Sequence, residues 1–174
     1  MLDISNINEL TGIKDTSAGL WIGSVTKLAD IESSDLVASR IPVLIEGVRE
    51  VGSPLTRNLA TLGGNICNAS PSADTVPALL TLDASVKLLS HRGEREVSLT
   101  AFFKGPGLSI IKSDEFLTAI IIPHQPANAR GTYIKLKTRA VLDLAFVGIS
   151  VFVVPGEEYM DVRIALGAVA PTPI

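Results

Sequence analysis

Apolar residues recur along the first part of the chain with the spacing of helices. A short apolar strand over 18–25 precedes a helix predicted over 27–33. A second helix, capped by Ser34 or Asp35, carries apolar side chains about every 3.6 residues. Pro42 lies inside this pattern, so we expect it to kink the helix or to begin a new one.

The pattern changes after a short helical segment predicted over 77–82. Strand patterns follow at 84–89, 96–99, 116–123, 131–137, 145–154 and 160–169. Loops are predicted over 52–74 and 102–107. Short turns between successive strands favour antiparallel pairing. A proline-containing linker near 123–130 divides the pattern, and we expect a domain boundary there.

One long polar segment interrupts the apolar pattern. No charged residue lies between Arg57 and Asp74, and the segment contains Gly63, Gly64, asparagines and several hydroxyls. It therefore has few side chains to bury and many hydrogen-bonding groups. This composition is typical of a loop that wraps a polar, phosphorylated ligand with backbone amides. The alternative is a tight turn that packs only against the protein itself, which is the commoner role of adjacent glycines.

Composition narrows the classes of function. The 174 residues are 47% apolar, enough for a core in one domain with a small appendage. A net charge of −3 without a basic cluster disfavours nucleic acid, and no apolar run is long enough for a membrane span. The single cysteine, Cys67, suits a cytoplasmic protein and favours a buried filler over a reactive thiol. With only two histidines, a metal site is not expected.

The polar segment resembles a known family. Arg57-Asn58-x-Ala60-Thr61-x-Gly63-Gly64-Asn65, followed by Ser70-Pro71-x-x-Asp74, is similar to the second flavin loop in the FAD-binding medium subunits of molybdenum hydroxylases, such as carbon monoxide dehydrogenase and xanthine dehydrogenase. Other motifs of the family occur in the same order along nearly the whole chain. They include Ile22-Gly23-Ser24, Phe102-Phe103-x-Gly105, Ile120-x-Ile122-Pro123 and Lys135-x-x-x-Arg139-x-x-x-Asp143. The combination is far more specific than Gly-Gly-Asn alone.

The resemblance implies an α+β fold. We expect a mainly antiparallel sheet flanked by helices over 1–125, as in FAD-binding type-2 (PCMH-like) subdomains, and the start of a second α+β domain over 126–174. Family members carry an earlier subdomain whose Ala-Gly-Gly-Thr-type loop supplies much of the pyrophosphate cradle, and this sequence has no counterpart to it. We therefore expect a central fragment of a longer protein, with apolar surface exposed around 145–154.

The resemblance also implies FAD as the cofactor and ten residues that contact it. These are Thr61, Gly63, Gly64, Asn65, Asn68, Ser70, Asp74, Leu117, Lys135 and Leu144. Asp74 would accept hydrogen bonds from ribose or ribityl hydroxyls, with a helix N-cap as the alternative role. Lys135 would stabilise the reduced, anionic flavin, and otherwise is a solvated strand lysine. Leu117 would contact the flavin mainly through its backbone, and Leu144 would pack on the isoalloxazine ring. By themselves, both side chains would be read as core.

The function that the resemblance implies is electron relay. In such enzymes substrate is oxidised at a molybdopterin cofactor in a large subunit, and electrons pass through [2Fe–2S] clusters of a small subunit to FAD and then to NAD or another acceptor. The chain would thus be an oxidoreductase component without catalytic acid or base residues of its own, and inactive as an isolated fragment. Association of several copies stays open. A second hypothesis is a non-catalytic scaffold that binds no flavin alone.

Overall fold

The computed structural model describes residues 3–138, 144–156 and 160–174. Six short helices precede most of the strands. The helices are α1 (Leu28–Glu32), α2 (Asp35–Arg40), α3 (Pro42–Arg49), α4 (Pro54–Arg57), α5 (Leu62–Cys67) and α6 (Thr75–Thr81). The strands are β1 (Ile13–Thr16), β2 (Gly19–Gly23), β3 (Ser85–Ser90), β4 (Gly93–Ser98), β5 (Phe103–Gly105), β6 (Leu108–Ser109), β7 (Phe116–Ile122), β8 (Arg130–Leu136), β9 (Val147–Pro155) and β10 (Met160–Gly167).

The larger sheet has five strands in the order β1-β2-β7-β3-β4, and every neighbouring pair is antiparallel. The central strand β7 is almost wholly apolar, which suits a strand with neighbours on both sides. Its residue Ile120 is fully buried together with Ile22 of β2 and Leu88 of β3. These side chains form one core with Leu44 of α3 and Leu79 of α6.

A second, three-stranded antiparallel sheet, in the order β10-β9-β8, packs against α3 and α6. Tyr133 of β8 and Phe152 of β9 bring this sheet into the same core. As predicted, apolar surface is exposed within 145–154, since Phe146 is 62% exposed. The exposed surface also includes Ile134 of β8 and Ile164 of β10. The mixed helix and antiparallel-sheet architecture confirms the predicted fold class.

Most predicted elements are confirmed, and Pro42 does begin a new helix, α3. Two predictions of loop were wrong. The loop predicted over 52–74 contains α4 and α5, because the hydroxyls of Ser53 and Thr61 cap short helices by accepting hydrogen bonds from the amides of Thr56 and Gly64 respectively. The loop expected at 102–107 contains β5, which pairs with β6. No helix in the described parts of the chain is long and apolar enough to cross a membrane.

Candidate functional site

The Gly-Gly-Asn motif lies in the first turns of α5. The first four backbone amides of α5 all donate hydrogen bonds to acceptors within the protein. Leu62 donates to the Thr26 carbonyl (3.0 Å), Gly63 to the Ser24 carbonyl (2.9 Å), Gly64 to Thr61 Oγ1 (3.1 Å) and Asn65 to the Thr61 carbonyl (3.0 Å). These groups are therefore engaged with the protein, whereas the sequence led us to expect backbone donors that face a ligand.

The two adjacent glycines have different roles. A Cβ added to Gly63 would lie 2.6 Å from the carbonyl oxygen of Ser24 and 2.7 Å from its Cβ, so this glycine allows α5 to approach the end of β2. For Gly63 the close approach is thus to the protein's own backbone. Gly64 is exposed, and the nearest atom to a Cβ added there is Thr61 Oγ1 at 3.0 Å.

Two clefts border α5, and the first is mostly apolar. This apolar cleft has a volume of about 590 Å³. Its walls include Ile4, Val25, Ile111, Phe116 and Leu117, together with Ser24, Thr61, Gly63, Gly64, Cys67 and Glu115. Such a volume, with apolar walls and a few hydroxyls, is within the range of small-molecule sites. Leu117, predicted to contact flavin mainly through its backbone, is buried in this wall.

The hydroxyls of the apolar cleft include one donor that sequence analysis missed. Thr61 Oγ1 accepts from the Gly64 amide, which leaves its own proton to donate to a ligand. Ser24 lines the same cleft, and its buried Oγ has no hydrogen-bond partner among the described residues. In the sequence Ser24 stands out only as part of the Ile22-Gly23-Ser24 motif. That its hydroxyl has no partner among the described residues depends on the surrounding packing, which the sequence does not show.

The second cleft is more polar. This polar cleft, of about 270 Å³, collects five of the predicted residues. They are Asn65, Asn68, Ser70, Asp74 and Leu144. Asn65 Oδ1 accepts a hydrogen bond from Thr75 Oγ1 (2.6 Å), and no described residue accepts from its Nδ2. Leu144 is 74% exposed, so it does not belong to the core.

Asp74, which lines the polar cleft, forms a buried ion pair with Lys135. Lys135 Nζ lies 2.9 Å from Asp74 Oδ2 and donates also to the Glu50 carbonyl (3.2 Å), while the Tyr133 hydroxyl donates to Asp74 Oδ1 (2.8 Å). The Lys135 side chain is only 3% exposed, so it is not a solvated strand lysine. Asp74 makes no capping hydrogen bond to α6, which removes the N-cap alternative.

The electrostatics of this pair follow from burial. Burial raises the pKa of the Asp74 carboxyl, and the hydrogen bonds from Lys135 and Tyr133 act in the opposite direction. Burial, followed by the charge of Asp74, raises the pKa of the Tyr133 hydroxyl, which therefore stays protonated and donates. The two predicted residues thus touch each other, and Lys135 stabilises the carboxylate that faces the polar cleft.

Cys67 was expected to be buried, but it lies exposed at the edge of the apolar cleft. The surroundings of the sulfur nevertheless desolvate the thiolate in part, and this desolvation raises the pKa of the thiol to about 11. The prediction of an unreactive thiol therefore has a physical basis, although the reason differs. The expected pair of Arg139 with Asp143 lies outside the described residues. In the described ranges, no group of His, Cys, Asp and Glu could hold a metal ion.

Glu115 closes one side of the apolar cleft and makes a two-pronged ion pair with Arg95. The Arg95 Nε–Glu115 Oε1 and Nη2–Oε2 distances are both 2.8 Å, and the Lys112 amide donates to Oε2 (2.9 Å). The Arg95 hydrogen bonds, followed by that amide, lower the pKa of Glu115 from 4.5 to about 2.

The ion pair of Glu115 should make the stability of the protein depend on pH in the acid range. Because the folded-state pKa is depressed, its contribution is present above about 4.5 and is lost as pH falls toward about 2. We expect Glu115→Gln to flatten this acid loss in melting temperatures measured across that interval. Glu94→Gln is the control. It removes the ion pair of Lys87 with Glu94, in which the Glu94 side chain is 46% exposed, and it should leave the loss of stability in acid unchanged. An unaltered acid profile in Glu115→Gln would contradict this assignment.

Comparison with known proteins agrees with the geometry. The family described as "FAD binding domain in molybdopterin dehydrogenase" matches residues 1–125, and the chain belongs to this family. The xanthine dehydrogenase FAD-binding subunit of Escherichia coli O157:H7 is 34% identical over 177 residues, which cover 100% of this chain and 61% of that protein. The glyceraldehyde dehydrogenase medium chain of Sulfolobus acidocaldarius is 34% identical over 174 residues, which cover 99% of this chain and 61% of that protein.

A solved structure is also similar. Carbon monoxide dehydrogenase from Hydrogenophaga pseudoflava, in a form that lacks the Mo-pyranopterin moiety of the molybdenum cofactor, superposes with a TM-score of 0.94 at 32% identity. The match covers 99% of this chain and 60% of that chain. The chain therefore spans about three fifths of the length of the proteins it matches.

Proposed function

We propose that the chain binds FAD at the two clefts beside α5 and serves as the flavin component of a molybdenum hydroxylase. The observation that carries the proposal is the convergence of nine of the ten predicted residues on these clefts. Thr61, Gly63, Gly64 and Leu117 line one, and Asn65, Asn68, Ser70 and Asp74 line the other. Leu144 also lines the polar cleft, and Lys135 acts through Asp74.

The residues present suit the chemistry of FAD. The apolar cleft offers aliphatic and aromatic walls to a planar ring, and two hydroxyl donors to its polar edge. The polar cleft offers the Asn65 amide and the Asp74 carboxylate, which is a good acceptor for vicinal hydroxyls. When bound, FAD supplies one- and two-electron redox chemistry. The protein's own residues bind the cofactor, orient it and keep water from part of it.

The same proposal places the chain in a larger assembly. Electrons would arrive from [2Fe–2S] clusters of a small subunit, after oxidation of substrate at a molybdopterin-containing large subunit, and would leave to NAD or another acceptor. Family membership supports this route, and the low cysteine content supports a cytoplasmic location. We also propose the division into a flavin-binding unit over 1–125 and a second unit over 126–174.

Titration of the 174-residue chain with FAD, followed by flavin fluorescence, tests the proposal. We expect Asn65→Asp to weaken binding about tenfold, because it replaces the Nδ2 donor, for which no described residue is an acceptor, by a negative oxygen at a site for a polar cofactor. The Oδ1 acceptor for Thr75 is retained, so the local fold should survive. Asn128→Asp makes the same change of charge at an exposed position that donates to the Pro155 carbonyl, and should bind FAD normally.

The outcomes separate the two hypotheses for the chain. Saturable binding that Asn65→Asp weakens and Asn128→Asp does not would support the flavin site. A folded wild-type chain that binds no FAD would overturn it and favour the non-catalytic scaffold.

A further inference from the structure

Ser24 carries the least satisfied polar group in the apolar cleft. The residue is 3% exposed, and its Oγ has no hydrogen-bond partner within the described residues. Its backbone is fully engaged, since the amide donates to the Thr118 carbonyl (2.9 Å) and the carbonyl accepts from the Gly63 amide (2.9 Å). A buried hydroxyl without a partner is unfavourable for folding, so a structural role for this group does not explain it.

The position of Ser24 suggests what satisfies the hydroxyl. The residue lines the apolar cleft beside Val25, Phe116 and Leu117, none of which offers a side-chain hydrogen bond. A serine hydroxyl changes direction by rotation about the Cα–Cβ bond among three staggered positions. Because the backbone at Ser24 is fixed on both sides, this rotation is the freedom that remains, and it can turn the hydroxyl towards the cleft.

We propose that Ser24 donates a hydrogen bond to an oxygen of the bound flavin cofactor. This inference rests on the proposed function, and it adds a binding residue to the apolar cleft. Ser24 and Thr61 would act together, because both lie in this cleft and each hydroxyl keeps a proton to donate. In a cleft with mostly apolar walls, two such donors fix the orientation of the ligand. The acceptor is a ring carbonyl or a phosphate oxygen, which share the same chemistry.

Ser24→Ala tests this inference by two effects of opposite direction. Removal of an unpaired buried hydroxyl should raise the melting temperature of the cofactor-free chain by about 2–4 °C. Loss of the donor should weaken FAD binding about tenfold. A purely structural serine would change the melting temperature and leave the dissociation constant for FAD unaltered, so the two readouts together identify the role.

Ser150→Ala is the matched control. Ser150 is also fully buried, but its hydroxyl is paired with Thr81 Oγ1 (2.9 Å) and lines neither cleft. The same truncation there should lower the melting temperature and leave FAD binding unchanged. Serine-to-alanine substitution would thus have opposite effects on stability at the two sites.

Titrations with riboflavin and with ADP identify the acceptor. A Ser24→Ala effect on riboflavin indicates a ring carbonyl, and an effect on ADP indicates a phosphate oxygen, and either supports the inference. If the wild-type chain binds FAD and Ser24→Ala binds it equally well, the inference is overturned and the proposed function stands. If the wild-type chain binds no flavin, both are overturned.

Discussion

Replacement of Lys135 by methionine is expected to destabilise the protein by about 3–5 kcal/mol at neutral pH. The substitution keeps much of the apolar stem but leaves the Asp74 carboxylate buried beside Tyr133 without its cation. Removal of one partner from a buried ion pair is far more costly than removal of both, because the remaining charge has lost its solvation. Chemical unfolding, with the free energy extrapolated to water, measures the effect.

The penalty should shrink as the pH falls. The hydrogen bond and the charge of Lys135 oppose the raised pKa of Asp74, as does the hydrogen bond from Tyr133, so removal of Lys135 raises that pKa further. An acid with a raised folded-state pKa stabilises the fold at low pH and loses that contribution as pH rises through the pKa. Lys135→Met should therefore approach wild-type stability in acid, where Asp74 is protonated, and differ most from it at neutral pH.

Two further variants test whether the cost of Lys135→Met comes from burial of the ion pair. Lys137→Met removes a lysine just beyond the end of β8, whose pair with Glu50 is partly exposed at 25% and 30%, and should cost no more than about 1 kcal/mol. Asp74→Asn combined with Lys135→Met removes both charges and should be more stable than Lys135→Met alone. Equal losses in the two lysine variants would contradict the assignment of Asp74–Lys135 as a buried pair.

This pair also shows where sequence analysis reaches its limit. Asp74 and Lys135 are separated by 61 residues, and each was predicted from resemblance to contact the cofactor. Their mutual contact depends on the packing of β8 against α3 and α6, which no local pattern encodes. The strands themselves were predictable, because β-branched apolar runs between turns specify them locally.

The sequence predicted which residues form the candidate site better than it predicted what their backbone amides do. Residues 61–74 were identified from their polar composition, but they were expected to form a loop with free amides. The short helix α5 exists because Thr61 caps it and because its first amides find acceptors in the Ser24 and Thr26 carbonyls. These acceptors lie more than 30 residues away in the sequence, so a propensity argument could not supply them. Ser24 was missed for the same reason.

The two adjacent glycines should respond in opposite ways to alanine. Gly63→Ala would place a methyl 2.6 Å from the Ser24 carbonyl oxygen, and backbone at the end of β2 cannot yield without disturbing the sheet. The gain in helix propensity, about 1 kcal/mol at most, is smaller than the cost of overpacking, which we expect to leave a net loss of about 2–3 kcal/mol. Chemical unfolding of Gly63→Ala measures this loss directly.

Gly64→Ala is the matched substitution one residue further along α5. Among the described residues, and apart from the backbone of α5 itself, the methyl has one atom within 4 Å, Thr61 Oγ1 at 3.0 Å, and it otherwise enters the apolar cleft. Because alanine favours a helix more than glycine does, the free energy of unfolding of Gly64→Ala should lie within about 0.5 kcal/mol of the wild-type value or slightly above it. The methyl also narrows the apolar cleft, so we expect it to weaken FAD binding. Gly63→Ala with wild-type stability would refute the close approach of α5 to β2. Gly64→Ala with wild-type affinity would place the cofactor away from this face of α5, because a ligand in contact with Gly64 has no room for the added methyl.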